Sequence, residues 1–171
     1  KVGTAEMTFN NDSKTRHLFG KYDNCCNSKK QLIFDVVLSD FPEESMVIAT
    51  PFNKDKHFYY NQKINCMRAK GYVKFGDIEW KFTPENNALA TLDWGRGVWT
   101  YDNTWYWGSG QTVLDDGSTF GFNIGYGFGD TSAASENMLF YNGKSHKLED
   151  IKFNIPKDGD KYLYTEPWTF T

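Results

Sequence analysis

The ten residues 120–129 constrain the fold of this chain most strongly, because their side chains alternate in size at every position. Bulky apolar residues occupy one parity, namely Phe120, Phe122, Ile124, Tyr126 and Phe128. The other parity carries Gly121, Asn123, Gly125, Gly127 and Gly129. A period of two residues is that of a β-strand, whose successive side chains point to opposite faces. No stretch of the sequence shows a sustained helical period with caps, so we predict an all-β fold.

Three glycine-containing dipeptides predict hairpin turns between strand-like segments. They are Gly76-Asp77, Asp116-Gly117 and Asn142-Gly143. A two-residue turn at Gly76-Asp77 places Lys74 opposite Glu79 on one face of the hairpin and two apolar pairs on the other. These apolar pairs are Val73 with Trp80 and Phe75 with Ile78. Matched pairs on both faces favour this register, because cross-strand neighbours interact directly.

The second and third turns predict further strand pairs. A two-residue turn at Asp116-Gly117 would pair Val113 with Phe120, Trp107 with Tyr126 and Trp105 with Phe128. One face of that hairpin would then carry an aromatic ladder. The third turn would join residues 138–141 to residues 144–148.

Successive hairpins at short spacing indicate an antiparallel meander that forms a barrel, an open half-barrel or a sandwich. The 171 residues are 39% hydrophobic and 18% aromatic, which is enough apolar material for one packed core. No linker or internal repeat divides them. We therefore expect residues 1–171 to form a single β domain with less than about one-tenth helix.

Both ends of the chain carry strand-like patterns, at residues 2–9 and 168–171. These patterns predict that the chain is a piece of a longer protein. Strands at such ends leave sheet edges that can pair with another chain. Self-association through those edges is therefore expected.

Composition excludes several classes of partner. The net charge is −3 and no basic block occurs, so nucleic acid is not an expected partner. No apolar run approaches the roughly 20 residues that span a bilayer. The odd set of three cysteines, Cys25, Cys26 and Cys66, favours reduced thiols and a cytoplasmic setting over a disulfide framework.

The sequence also predicts neither a metal site nor a cofactor. His17, His57 and His146 are dispersed and have no metal-ligand spacing. The glycines between Gly125 and Gly129 alternate along a strand, and no helix follows them. A phosphate-binding loop needs a helix N-terminus after its glycines, so these glycines do not predict one.

An ordered set of motifs identifies a family resemblance. Residues 93–99 read Asp-Trp-Gly-Arg-Gly-Val-Trp, and residues 103–107 read Asn-Thr-Trp-Tyr-Trp. The glycine-rich residues 121–125 follow, and then Glu136-Asn137. In this order the motifs resemble those of the bacterial family known as domain of unknown function 2804. Lesser agreement extends over nearly the whole chain.

The resemblance implies a lipocalin-like β-barrel and members that are longer at both ends. A more distant likeness connects the family to tandem lipocalin-like proteins such as carotenoid hydratases and certain Diels–Alder cyclases. That likeness is one of fold, and fold does not determine function. The family has no established activity, so the resemblance transfers no catalytic residue.

The motifs concentrate three charged residues among aromatic ones, which makes them the candidate catalytic groups. Asp93, Arg96 and Glu136 could polarise a substrate or donate a proton inside an aromatic-walled barrel. They could equally form a buried ion pair that holds strands together, with Gly95 and Gly97 as bulges. In both interpretations a buried Arg96 needs Asp93 or Glu136 as its partner.

The candidate ligand-binding residues are the aromatic and amide side chains of the same motifs. They are Trp99, Asn103, Trp105, Trp107, Asn123, Tyr126 and Asn137. Small barrels can hold a single ligand among such residues, so we predict binding of a small apolar or amphipathic molecule, with acid–base catalysis as a possible addition. The alternatives are a structural or interaction domain with a filled barrel, and a carbohydrate-binding module with exposed rings.

Overall fold

A computed structural model describes residues 3–171 as an all-β fold in which the strand pairings are antiparallel. Strands account for 55% of the residues and helix for 4%, which confirms the predicted fold class and the low helix content. The helical residues form two short 3-10 turns, Cys25–Asn27 and Pro84–Asn86. Within residues 3–171, neither of these helical turns has the length or the hydropathy of a membrane-spanning helix.

The larger sheet has seven strands and curls into a half-barrel. Its strands are β1 (Ala5–Asn11), β2 (Arg16–Tyr22), β3 (Leu32–Ser39), β4 (Met46–Pro51), β5 (Phe58–Phe75), β6 (Ile78–Phe82) and β7 (Leu89–Val98). The 18-residue strand β5 organises this sheet. It pairs with β3 and β4 along one edge and with β6 and β7 along the other.

A β-bulge interrupts the pairing of β5 with β7. The register shifts between Ile64 and Met67, and Cys66 at this point has a φ of +64°. Bulges bend a strand and increase its twist, which is how β5 serves both halves of the curled sheet. The expected bulges at Gly95 and Gly97 are absent from the described pairing, which runs without a shift from Asp93 to Val98.

The smaller sheet packs against the β4 and β5 part of the half-barrel. Its strands are β8 (Tyr106–Val113), β9 (Thr119–Tyr126), β10 (Met138–Tyr141) and β11 (Lys144–Lys147), in the order β11-β10-β9-β8. A buried core of Met46, Ile48, Cys66 and Phe140 joins the two sheets. A second core cluster lies on the opposite face of the large sheet and consists of Leu38, Ile64, Met67 and Ala69.

Four two-residue strands follow. They are β12 (Phe153–Asn154), β13 (Lys157–Asp158), β14 (Lys161–Tyr162) and β15 (Thr169–Phe170). They form two small antiparallel pairs, β12 with β15 and β13 with β14. Of the two predicted terminal strands, the first begins at Ala5 and the last is β15. Val2 lies outside the described residues.

Two of the three predicted turns have the predicted register. Phe75 pairs with Ile78, and Gly76 between them adopts a φ of +60°. At the third turn Tyr141 pairs with Lys144, and Asn142 and Gly143 both have positive φ, as a type I′ turn requires. Glycine and asparagine are favoured in these turns because they adopt this conformation at little steric cost.

The register predicted for the second hairpin is wrong by one residue. Val113 pairs with Thr119, not with Phe120. The Gly117 amide donates a hydrogen bond of 2.9 Å to the Leu114 carbonyl, and Gly117 has a φ of +84°. These features are those of a three-residue loop, a type I turn followed by a left-handed glycine. The extra residue shifts every pair along the hairpin.

The shift moves the aromatic side chains to different faces. Trp107 pairs with Gly125, and Tyr126 pairs with Tyr106. Because paired residues share a face, Trp107 faces the large sheet, whereas Tyr126 lies on the outer face. There Tyr106 and Tyr126 stack with their ring centroids 6.3 Å apart and pack near Phe153 of the C-terminal segment. The predicted ladder combining Trp107 with Tyr126 therefore does not form.

Candidate functional site

A cleft of about 380 Å³ opens between the two sheets. Its lining combines five aromatic residues with three charged ones: Tyr59, Lys63, Asp93, Trp99, Trp105, Trp107, Phe128 and Glu136. The tryptophans are only half-buried, with 50% of Trp99, 53% of Trp105 and 43% of Trp107 exposed. The cleft is therefore accessible from solvent.

Loops adjoining the strands supply most of the aromatic wall. Trp99 follows β7, Trp105 precedes β8, and Phe128 follows β9. Because β7, β8 and β9 belong to two facing sheets, these loops meet at one end of the packed strands. Side chains on loops are thus held by strands that are themselves anchored in the sheets.

Lys63 lies at the centre of the cleft and is the most buried of its charged groups. Its side chain is 5% exposed, and its Nζ lies 2.6 Å from Asp93 Oδ1 and 3.6 Å from Glu136 Oε2. The same Nζ lies 5.1 Å from the centroid of the Trp107 ring. A buried ammonium is tolerated only with such partners, because it has lost most of its hydration.

Strand register brings Lys63 and Asp93 together. The two residues are directly paired between β5 and β7, so their side chains lie on the same face. Asp93 remains 44% exposed at its side chain, whereas that of Glu136 is 16% exposed. The charged group therefore extends from the buried interior to the mouth of the cleft.

Asn123 positions both Glu136 and Trp107. This residue is fully buried on β9, and its Nδ2 donates hydrogen bonds to the Glu136 backbone carbonyl at 2.9 Å and to Glu136 Oε2 at 3.2 Å. Its Oδ1 accepts a hydrogen bond of 2.9 Å from Trp107 Nε1. Gly125 makes room for the carboxyl group, because a Cβ at that position would overlap Glu136 Oε1.

Two further residues hold the segment that carries Glu136. Asn137 is buried, and its Oδ1 accepts a hydrogen bond of 2.8 Å from the Gly125 amide. Lys147 Nζ donates to the carbonyls of Ser135 and Asn137 at 2.9 and 3.0 Å. These hydrogen bonds fix the backbone on both sides of Glu136, which preorganises its carboxylate.

The aromatic rings meet edge to face. Tyr59 lies 5.6 Å from Trp99 and 5.1 Å from Phe128, at interplanar angles of 89° and 87°. Trp105 lies 5.0 Å from Phe128 at 61°. Such contacts are favourable arrangements of ring quadrupoles. Gly95 permits the position of Tyr59, because a Cβ there would overlap its ring.

The cleft carries an excess of negative charge, since two carboxylates face one ammonium. Burial raises the pKa of the Tyr59 hydroxyl above its usual 10.0, and the nearby Asp93 and Glu136 carboxylates raise it further. Both effects disfavour the phenolate, because it would be a third anion in a partly desolvated site. Tyr59 therefore contributes a neutral hydroxyl at neutral pH.

Seven of the ten predicted site residues belong to this cleft or its support. Asp93, Glu136, Trp99, Trp105 and Trp107 line it. Asn123 and Asn137 lie behind the wall and hold it through hydrogen bonds.

The other three predicted residues lie elsewhere. Asn103 closes a local turn, where its Oδ1 accepts a hydrogen bond of 2.9 Å from Thr100 Oγ1. Tyr126 lies on the outer face of its sheet, as the corrected register requires. Arg96 points away from Asp93 because residues three apart on a strand have opposite parity, and it pairs in register with Tyr60.

The expected ion pair of Arg96 is not formed. The residue is exposed, and no described carboxylate lies within 4.0 Å of it. Lys63 occupies the position between Asp93 and Glu136 that was predicted for Arg96. Sequence reasoning missed Lys63, Tyr59 and Phe128 as site residues. The available signal for Lys63 was its isolation, because it is the one charged residue among residues 58–67 of the sequence.

The charged lining does not form a metal site by itself. Within residues 3–171, no group of three His, Cys, Asp or Glu side chains is close enough to hold a metal ion. Asp93 and Glu136 are instead bridged by the ammonium of Lys63. The arrangement can accept hydrogen bonds, attract a positive charge and pack against apolar groups.

Comparison with known protein families gives a match, whereas comparison with individual proteins does not. No curated protein and no solved structure matches the chain. Over residues 1–171, that is, over its whole length, the chain matches the family described as Domain of unknown function (DUF2804). The resemblance drawn from the motifs at residues 93–99, 103–107, 121–125 and 136–137 is thereby confirmed, and the chain belongs to this family.

Proposed function

We propose that the domain binds a small amphipathic molecule in the cleft around Lys63. The observation that carries the proposal is the combination of an open, aromatic-walled cavity with a preorganised charged group at its base. A volume of about 380 Å³ lies within the range of small-molecule sites. The aromatic wall would contact the apolar part of the ligand, and Asp93 and Glu136 would contact its polar part.

Two features favour this proposal over a filled core. Packing alone favours burial of large aromatic side chains, yet Trp99, Trp105 and Trp107 each remain about half exposed around a cavity. In addition, Glu136 is held by Asn123 and by the backbone position of Asn137, so its carboxylate cannot turn freely into solvent. Preorganised polar groups next to exposed apolar rings are typical of binding sites.

The ring geometry also bears on the carbohydrate alternative. A surface that stacks on sugars presents its rings as a flat row. Here the rings of Tyr59, Trp99 and Trp105 stand at 59° to 87° to the Phe128 ring, around the cavity. The geometry therefore favours a compact apolar group over an extended sugar chain.

Nuclear magnetic resonance of the six tryptophan indole N–H groups tests the proposal. The probe is 4-tert-butylphenol, a small neutral amphipathic molecule. We expect the resonances of Trp99, Trp105 and Trp107 to shift together with one dissociation constant, and that of Trp80 to remain unchanged. Trp80 is a suitable internal control because it is half-exposed on β6, outside the cleft.

A matched pair of variants completes the test. Trp107→Leu should weaken probe binding about tenfold or more, because loss of a large aromatic contact costs roughly 1.5–3 kcal/mol. Trp80→Leu should leave binding unchanged. Shifts confined to Trp80 or Trp94, or equal binding by both variants, would contradict the assignment of the cleft.

A further inference from the structure

The charge of the cleft bears on the class of ligand, and this inference rests on the proposed function. Three of the side chains that line the cavity carry a formal charge at neutral pH, namely Lys63, Asp93 and Glu136. These formal charges leave one negative charge in excess, because two carboxylates share one ammonium. Lys63 lies closer to Asp93, at 2.6 Å, than to Glu136, at 3.6 Å. The uncompensated negative charge is therefore greatest near Glu136.

A bound ligand increases the effect of this charge. Covering the half-exposed tryptophans would remove water from the cleft and lower the local dielectric constant. An anionic ligand would then be repelled by two carboxylates, and a neutral one would leave one excess charge without hydration. A cationic ligand would neutralise the site as it displaces the water.

The aromatic wall supports the same sign of charge. Indole faces attract cations, and tryptophan is the most effective ring in such contacts. Trp107 already has Lys63 Nζ at 5.1 Å from its centroid, whereas neither Trp99 nor Trp105 has a cation over its ring in the described part of the chain. These two rings and Tyr59 meet at steep angles around Phe128, so they present surfaces in different directions around one cavity.

We propose that the cleft selects ligands in which a quaternary alkylammonium group, which is positively charged but weakly hydrated, is attached to an apolar body. Such a group has little hydration to lose, so it can enter an aromatic site at a lower desolvation cost than a primary ammonium. Its methyl groups would pack against Trp99 and Trp105. Its charge would lie next to Glu136 and Asp93, on the side opposite to Lys63.

The test compares three probes of the same shape but different charge. Choline has a trimethylammonium head, 3,3-dimethyl-1-butanol replaces its nitrogen by carbon, and 3,3-dimethylbutanoate is the corresponding anion. Binding is followed at the indole resonances of Trp99, Trp105 and Trp107. We expect choline to bind about tenfold more tightly than the alcohol, and the anion to bind least. Added salt should weaken binding of choline and leave that of the alcohol unchanged.

Charge-removing variants locate the preference. Glu136→Gln retains a side-chain oxygen for Asn123 but removes the charge, so it should reduce the advantage of choline over the alcohol several-fold. Asp93→Asn should act in the same direction and serves as a second variant if the first does not fold. Asp115→Asn is the matched control, because Asp115 is exposed in the turn between β8 and β9, outside the cleft.

The outcomes separate this inference from the proposed function. If the alcohol or the anion shifts the cleft resonances at the concentration that choline requires, or at a lower one, the proposed ligand class is wrong but the proposed binding site is retained. If Asp115→Asn lowers the advantage as much as Glu136→Gln, the local charge of the cleft is not its cause and the inference is overturned. If neither these probes nor 4-tert-butylphenol shifts the cleft resonances, the inference and the proposed function both fail.

Discussion

The ammonium of Lys63 and the carboxylate of Asp93 lie 2.6 Å apart on paired positions of β5 and β7, yet their exposures differ greatly. The Lys63 side chain is 5% exposed and that of Asp93 is 44% exposed. A fully exposed pair would contribute little to stability, and a fully buried pair would have to offset a large desolvation cost. This pair has one buried member and one that still contacts water. The contribution of this pair to the free energy of unfolding therefore depends mainly on how well the carboxylates are hydrated once Lys63 is removed.

Replacing Lys63 by methionine should lower the free energy of unfolding by about 1–3 kcal/mol. The variant retains most of the apolar volume but leaves Glu136, largely buried, without its cation. The loss should be smaller than for a pair in a dry core, because Asp93 can be hydrated. Urea unfolding followed by tryptophan fluorescence measures it.

A double-mutant cycle with Asp93→Asn isolates the pair. Because Lys63 and Asp93 are in direct contact, the two substitutions should be non-additive by about 1 kcal/mol or more. Additivity within about 0.5 kcal/mol would contradict an energetic link between them. The cycle of Lys63→Met with Asp115→Asn is the control, since Asp115 lies at the hairpin tip and should add independently.

Gly125 provides a second test of how the cleft is built. Its missing Cβ leaves the space that the Glu136 carboxyl group occupies. Gly125→Ala should therefore displace Glu136 and cost about 1–3 kcal/mol, as is usual when a packed site receives an extra methyl group. Gly108→Ala is the matched control on β8, because a Cβ there would meet the nearest atom of Ile124 at an ordinary 3.5 Å. Thermal unfolding of the two variants makes the comparison, and equal losses would contradict the account of Gly125.

Local signals in the sequence predicted those parts of the fold that depend on few residues. The turn at Asn142-Gly143 needs positive φ at both positions, and these two residues adopt it readily. The Gly76-Asp77 turn was predictable because Lys74 and Glu79 on one face agree with apolar pairs on the other. At Asp116-Gly117, by contrast, the same residue types also suit a three-residue loop. The error of one residue moved Tyr126 into the predicted site.

The centre of the site depends on contacts between distant strands and could not be predicted from local pattern. Lys63 meets Asp93 only because β7 pairs with β5 after the β6 hairpin and a 3-10 turn have intervened. The bulge at Cys66 sets the register of that pairing, and no glycine or proline near residue 66 indicates a bulge in the sequence. The motif at residues 93–99 contains Asp93 and Trp99, and the structure places both in the lining of the cleft. Its arginine was the natural partner by charge, but strand parity directs Arg96 to the other face.

The three thiols should differ sharply in reactivity towards Ellman's reagent. Cys25 and Cys66 are buried, whereas Cys26 is exposed. Burial is the main cause that raises the pKa of the Cys66 thiol, and the hydrogen bond between the Cys25 and Cys26 thiols is the main cause that raises the pKa of Cys25. Because the thiolate is the reactive species, only Cys26 should react rapidly in the native protein.

The variant Cys26→Ser checks this assignment. It should abolish the rapid phase and leave the slow thiols unchanged, and Cys66→Ser should leave the rapid phase intact. Two rapid thiols in the native protein would contradict the burial of Cys25. Full reaction after unfolding in urea supplies the total against which both phases are measured.

The hydrogen bond between the hydroxyls of Tyr106 and Tyr164, on the outer face of the smaller sheet, predicts a loss of stability at alkaline pH. The Tyr106 and Tyr164 hydroxyls lie 3.2 Å apart, and this hydrogen bond is the main cause that raises the pKa of Tyr106 to about 12. In the unfolded chain Tyr106 would ionise near the usual value of 10.0. Between these values the folded protein binds more protons than the unfolded one, so the contribution of Tyr106 to stability is complete below pH 10 and is lost as pH rises towards 12.

Urea unfolding at pH 9.0, 10.0 and 11.0 should show a falling free energy of unfolding, and the fall should be smaller in Tyr106→Phe, which cannot ionise. Tyr101→Phe is the control, because Tyr101 is fully exposed and should leave the slope unchanged. A slope that is the same in the parent protein and in Tyr106→Phe would show that the hydrogen bond to Tyr164 does not retain the proton.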